Sequence, residues 1–196
     1  MVDRNAPPRD SSPATIIVAG GCGAGKTTFV GSVSEVALLD AEVGTATAGK
    51  GVVTADPQVR KTTTRVMDFG RITLHPDLVL YLFATAEQPR YQFGGALGAV
   101  VLVDSRQIQA SFAAINYFEN DSDIPFIVAI NMFDGQLPHD LEEVREALAL
   151  APDLPLTTCD ARDPGSTAKT LQELVSYTMN LTNSGDRSDP RIDDRR

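Results

Sequence analysis

The sequence predicts an α/β fold: a mainly parallel six-stranded sheet with one antiparallel strand and helices on both faces. Three observations carry this expectation. Gly20, four intervening residues and Gly25-Lys26-Thr27 complete a phosphate-binding loop pattern, set between an apolar β-branched run and a stretch able to open a helix. Beyond it, apolar runs of strand length alternate with segments of helical periodicity. The third observation is where polar residues fall. Asn131, Asp134, Cys159 and Asp160 sit at the ends of such runs, where open α/β sheets collect ligands.

Taken in order, residues 1–13 read as a flexible N-terminal arm, with Pro7, Pro8 and Pro13 among mixed charges. The first strand runs from about Thr15 to Ala19, and a helix from about Lys26 to Val36. A Gly/Thr/Ala-rich stretch follows, Gly44 to Lys61, without helical or strand periodicity; its length suits a nucleotide-sensing loop. Strands Thr64 to Thr73 and Leu78 to Phe83 flank His75-Pro76-Asp77, which makes them an antiparallel hairpin. Gly98 to Asp104, Pro125 to Ile130 and Leu156 to Cys159 supply three more strands. Helices are expected over Gln107 to Phe118, over Leu141 to Leu150 after His139-Asp140, and from a Ser166 cap through Met179. Residues 14–180 form the single domain, and 181–196 read as a disordered C-terminal tail.

The chain has 196 residues and a net charge of −9, which argues against a broad nucleic-acid or anionic-membrane surface, so no direct nucleic-acid contact is expected. Its two cysteines, Cys22 and Cys159, build no disulfide framework and suit a reducing compartment. No apolar run approaches a membrane span, and the N-terminus lacks the apolar core of a signal peptide. Neither a myristoylation glycine nor a prenylation box is present. A cytoplasmic protein without an intrinsic membrane anchor is expected, any membrane recruitment coming through a partner.

Loop glycines let successive backbone N–H groups close around phosphates, and the helix start adds unpaired donors and a favourable dipole. Gly21, Cys22, Gly23, Ala24, Gly25, Lys26, Thr27 and Thr28 are therefore the expected phosphate ligands. Lys26 reaches the β- and γ-phosphates, and the Thr27 hydroxyl ligates Mg²⁺. Asn131 and Asp134 have the spacing of a guanine-reading Asn-x-x-Asp element. A carboxylate accepts the paired hydrogens of guanine N1–H and its exocyclic amine; adenine offers no such donor pair. A strand-end turn held by Asn and Asp side chains is the plainer alternative. Cys159-Asp160-Ala161 ends the next strand, placed to offer a backbone N–H to guanine O6 with Asp160 bracing the loop.

These residues, with Lys61 to Thr64, Met67 to Gly70, Leu80 to Phe83 and Val101 to Arg106, resemble the small-GTPase superfamily and, within it, the conservon-type nucleotide-binding proteins of actinobacteria. The similarity extends to a mycobacterial member encoded beside a gyrase-binding pentapeptide-repeat protein. The resemblance implies a Ras-like P-loop GTPase fold, GTP or GDP with Mg²⁺, and slow or partner-dependent hydrolysis. It implies roadblock-type and sensor-kinase-like partners, and for the mycobacterial relative a pentapeptide-repeat protein and indirectly DNA gyrase. Thr64 takes the role of γ-phosphate sensor and second Mg²⁺ ligand, with Thr62 and Thr63 as adjacent alternatives. Gln88 takes that of the water-orienting residue.

The second switch departs from the pattern. Ala84-Thr85-Ala86-Glu87 stands where Ras-like proteins carry Asp-x-x-Gly, so the strand end has no carboxylate and Glu87 sets a negative charge near the γ-phosphate. A GDP-preferring pseudo-GTPase acting as an interaction module is thus the alternative reading. A nucleoside or nucleotide kinase would share the phosphate loop, but the Asn131–Asp134 pair and the lack of an arginine-rich acceptor lid stand against it. Arg65 and Arg90 are candidate arginine fingers in cis, and Phe69, Tyr91 and Phe93 candidate partner contacts.

Overall fold

Ile16, Ile17 and Val18 have no polar face, as a strand buried on both sides requires, and they form the middle of β1 (Ser12–Gly20). In this computed structural model the described residues are 12–37, 39–42, 66–85, 95–135 and 140–185. β1 pairs in parallel with β4 (Leu78–Ala84) on one side and β5 (Gly98–Asp104) on the other. β6 (Phe126–Asn131) and β7 (Leu156–Cys159) extend the parallel sheet beyond β5. On the far side β3 (Val66–His75) lies antiparallel to β4, turning at Pro76-Asp77, and β2 (Leu39–Glu42) lies antiparallel to β3. The order is β2-β3-β4-β1-β5-β6-β7, and β3 alone runs against the others.

Alternating strand residues feed two cores. Ile16, Val18, Leu80, Leu82, Val100 and Leu102 pack under α1 (Lys26–Val33) and α4 (Pro164–Gly185). Gly70 of β3 allows α1 to lie close, because a Cβ there would meet the Val30 side chain. Ile17, Val101 and Val103 face the other way, onto α2 (Phe112–Asn120) and α3 (Leu141–Ala147). Burying one such side chain contributes about 1.5–3 kcal/mol, so the strand centres supply the main stabilisation. Helices therefore cover both faces, as expected.

Several expectations need correction. The sheet has seven strands, not six: β2 is a short edge strand whose Asp40 and Glu42 carry no strand propensity, so only its pairing with β3 reveals it. β1 begins at Ser12 rather than after residue 13. Pro13 is tolerated because β1 meets β5 only from Ile16 onward, leaving its missing N–H on an unpaired stretch. The helix expected from Gln107 opens as a 3₁₀ turn, Ile108–Ser111, with the Ser111 hydroxyl donating to Leu102 O at 3.3 Å, before α2 begins. α3 stops at Ala147 because Ala149 turns left-handed at φ 53°. α4 runs to Gly185, past the boundary at 180, since no Gly or Pro interrupts it there. Its cap is Asp163, whose carboxylate accepts the Ser166 N–H at 2.8 Å; the Ser166 hydroxyl instead accepts from Asp160 N at 3.0 Å. The stretch Gly44 to Lys61, Thr62 to Arg65, Glu87 to Arg90, Tyr91, Phe93 and residues 186–196 lie outside the described residues.

Candidate functional site

The C-terminal ends of β1, β4, β5, β6 and β7 meet at one edge of the sheet, and the phosphate loop crosses it between Gly20 and Lys26. Gly25 caps α1 in a left-handed conformation, φ 97°, and carries no capping side chain. The first intrahelical bond runs from Phe29 N to Gly25 O at 2.8 Å, so the amides of Lys26, Thr27 and Thr28 precede the helical ladder, at the positive end of the dipole. Gly25 is required twice over. Its φ disfavours a side chain, and a Cβ would collide with Asn131 Nδ2. Gly21 and Ala24 are buried, while Cys22 and Gly23 face solvent at the tip. The Lys26 ammonium donates to Gly20 O at 3.0 Å and Gly21 O at 2.8 Å, which holds a positive charge at the mouth of the loop.

Asn131, the last residue of β6, joins three segments. Its Nδ2 donates to Ala24 O in the phosphate loop at 2.9 Å, and its Oδ1 accepts from Ala161 N at 3.1 Å. Met132 N donates to Cys159 O at 2.7 Å, adding a backbone link between the same strand ends. Asn131 is buried, and through these bonds it fixes the two loops relative to each other. Asp134 follows within the turn Phe133–Gly135.

Asp160 braces the β7–α4 loop as expected: its Oδ1 accepts from Arg162 N at 3.0 Å, and the Arg162 guanidinium pairs with both oxygens at 3.1 Å. That hydrogen bonding holds the Asp160 carboxyl below the usual range. The amides of Asp160 and Ala161 both donate within the protein, to Ser166 and Asn131, so an Ala161 N–H aimed at a base would share its hydrogen with Asn131. Cys159 is buried, with Sγ 3.9 Å from the Thr167 hydroxyl, and burial pushes its thiol up.

Two arrangements carry no local sequence signal for a role. Asp104, at the end of β5, accepts from Arg106 N, Nε and Nη2 at 2.8, 3.0 and 2.9 Å, and the same guanidinium lies over Phe133, 3.7 Å from the ring centroid. The second is the Thr27 hydroxyl, which donates to Asp68 Oδ2 at 2.5 Å, bringing β3 to the start of α1. Ala84 ends β4 buried, and Thr85 N returns to Val18 O at 2.9 Å. Phe69 stacks on Tyr81 with centroids 5.8 Å apart, so it packs along the hairpin. Thr64 and Gln88 lie outside the described residues.

The residues present fit a nucleoside polyphosphate with Mg²⁺: an uncapped helix start behind a glycine loop, an ammonium at its mouth, and a hydroxyl–carboxylate pair beside it. Among the described residues no helix is long and apolar enough to cross a membrane.

No protein-family model matches the chain, and no curated protein matches it. Solved structures do. The G domain of the T. maritima FeoB iron transporter superposes with a TM-score of 0.57 at 16% identity, over 86% of this chain and 99% of that one. The FeoB G-domain from Methanococcus jannaschii gives 0.53 at 11% identity, over 86% and 99%. The cytosolic domain of the T. maritima protein in its GMPPNP form gives 0.59 at 15%, over 84% of this chain and 64% of that one. The chain thus spans just under two thirds of that cytosolic domain. With the strand order and the loop between β1 and α1, these likenesses establish that the chain has the Ras-like P-loop GTPase fold.

Proposed function

We propose that the protein is a guanine-nucleotide-binding switch whose GTP hydrolysis is slow or dependent on a partner. The observation that carries this reading is Asn131, which ties the phosphate loop to the β7–α4 loop while its strand delivers the Asn-x-x-Asp turn. Phosphate and base recognition are then parts of one hydrogen-bonded unit. Loop and helix-start amides bind the phosphates, Lys26 moves from the loop carbonyls to their oxygens, and Asp134 reads the guanine edge. Thr27 would hold Mg²⁺, which would supply neutralisation of the phosphate charge. Gln88 orients the attacking water and Thr64 senses the γ-phosphate in this reading. Cytosolic domains of the T. maritima FeoB protein, which share this fold and were solved in GDP and GMPPNP forms, are consistent with it.

Ala84 favours a second reading, a GDP-preferring interaction module, because the end of β4 offers no carboxylate to a cation beside the γ-phosphate. On either reading the similarity to conservon-type proteins supports a cytoplasmic setting and partners of the roadblock and sensor-kinase-like kinds. It also supports regulation of a pentapeptide-repeat protein acting on DNA gyrase.

Calorimetric titration of nucleotide-free protein with GDP, a non-hydrolysable GTP analogue and ATP, with and without Mg²⁺, tests this. Comparable GDP and GTP-analogue affinities with no ATP binding support the switch. Strong GDP binding with little analogue binding supports the module, and preference for ATP overturns both.

A further inference from the structure

Asp68 lies directly across the β3–β4 ladder from Ala84, and Ala84 in turn pairs with Val18 of β1. Directly opposed residues of an antiparallel pair share a face. Ala84 faces the core beneath α1, so Asp68 does too, and its carboxylate meets the Thr27 hydroxyl in the first turn of that helix. Because β3 runs opposite to its neighbours, its N-terminal half comes to the edge where the other strands end. A carboxylate absent from the end of β4 is thereby present one strand over.

Mg²⁺ keeps several waters and is held by one or two carboxylates together with substrate phosphates, not by an all-protein cage. The described residues match that habit: no group of three Asp, Glu, His or Cys side chains among them could hold a metal alone. We propose that Asp68 is the carboxylate of the Mg²⁺ site, holding the cation or its water shell beside Thr27 in place of a residue at position 84. This rests on the guanine-nucleotide reading. It removes the main objection that Ala84 raises against a working switch.

The plainer role for Asp68 is to brace the Thr27 side chain. Asp68→Asn separates the two, because the amide oxygen still accepts from Thr27 while the charge is gone. Asp68→Ala removes both, and the Asn variant preserves the bond and with it the fold, checked by circular dichroism. Wild type and both variants are loaded with GDP in EDTA, freed of the chelator by gel filtration, then titrated with Mn²⁺ and followed by the electron paramagnetic resonance of free Mn²⁺. The expected result is a Mn²⁺ affinity lowered roughly tenfold or more in both variants, with GDP affinity in EDTA nearly unchanged. An Asn variant that holds Mn²⁺ like wild type overturns the assignment, as does a variant whose GDP affinity in EDTA falls as much as its Mn²⁺ affinity. Wild type that takes up GDP neither with nor without a divalent cation overturns the nucleotide reading itself, and this one with it.

Discussion

Arg106 lies over the ring of Phe133, its Cζ 3.7 Å from the centroid, while its Nε and Nη2 grip Asp104 at 3.0 and 2.9 Å. The loop after β5 is thereby fastened to the turn that carries Asp134, and the geometry of that turn depends on a neighbouring strand end. Arg106→Ala is expected to weaken GDP binding roughly two- to fivefold, the equivalent of a cation–π contact of about 0.5–1 kcal/mol at an exposed site. Lysine should recover little, since it lacks the planar fork that engages carboxylate and ring together. GDP titration of the two variants measures this; unchanged affinity in Arg106→Ala would show that the stack has no part in base recognition.

Asn131→Ala leaves Ala24 O and Ala161 N without their partner in a buried setting. The expected loss is about 2–3 kcal/mol of stability, from orphaning two polar groups. Nucleotide affinity should fall further than the stability change alone explains, because the phosphate loop and the β7–α4 loop are no longer joined. Urea denaturation combined with GDP titration checks both. Gly25→Ala should behave similarly from the other side, through its left-handed φ of 97° and the collision with Asn131.

Asp104 gives the stability a defined acid limit. The Arg106 side chain holds its carboxyl below the usual range, against the opposing effect of burial. A lowered folded-state value stabilises fully above the unfolded value of about 3.9 and is lost as pH falls through the folded one. Asp104→Asn should therefore cost about 1–2 kcal/mol at neutral pH, the range for hydrogen bonds to a charged group discounted for the exposed arginine. The difference between wild type and variant should begin to shrink as pH falls past the unfolded value and disappear once pH has fallen through the lowered folded one. Denaturant midpoints from neutral to acid pH read this; a difference that does not change with pH would contradict the pairing.

Cys22 stands exposed at the tip of the phosphate loop, and Cys159 is buried with its thiol pushed up by desolvation. An aromatic disulfide reagent at pH 8 should label one thiol readily and the second only on unfolding. GDP with Mg²⁺ should slow labelling of Cys22 on the proposed function, by covering the loop. Equal rates with and without nucleotide would place the ligand elsewhere.

The strand alternation and the phosphate loop were legible because their signals are local. Runs such as Val100 to Val103 declare a buried strand by composition, and the glycines of the loop declare a backbone conformation that other residues resist. The place of Asn131 was legible as well, since a polar residue closes an apolar run there, at the edge where the parallel strands end. β2 was not, because four residues containing Asp40 and Glu42 pair only when β3 is already present. The α4 cap was misread for a related reason. Asp163 and Ser166 are both good caps in isolation, and Asp160 N drawing off the Ser166 hydroxyl decides between them.

By itself, then, the sequence determined the class of fold, the order of its main elements and the glycine-rich loop before the first helix, because these follow from the period of apolar residues and from glycine. Only the tertiary structure decided that Asp68 stands across from Ala84 at Thr27, and that Arg106 clamps Asp104 and Phe133. Those relationships depend on strand register and direction. One residue of slip would turn Asp68 to the opposite face, and register is selected by the whole buried surface of the sheet rather than by the residues it brings together.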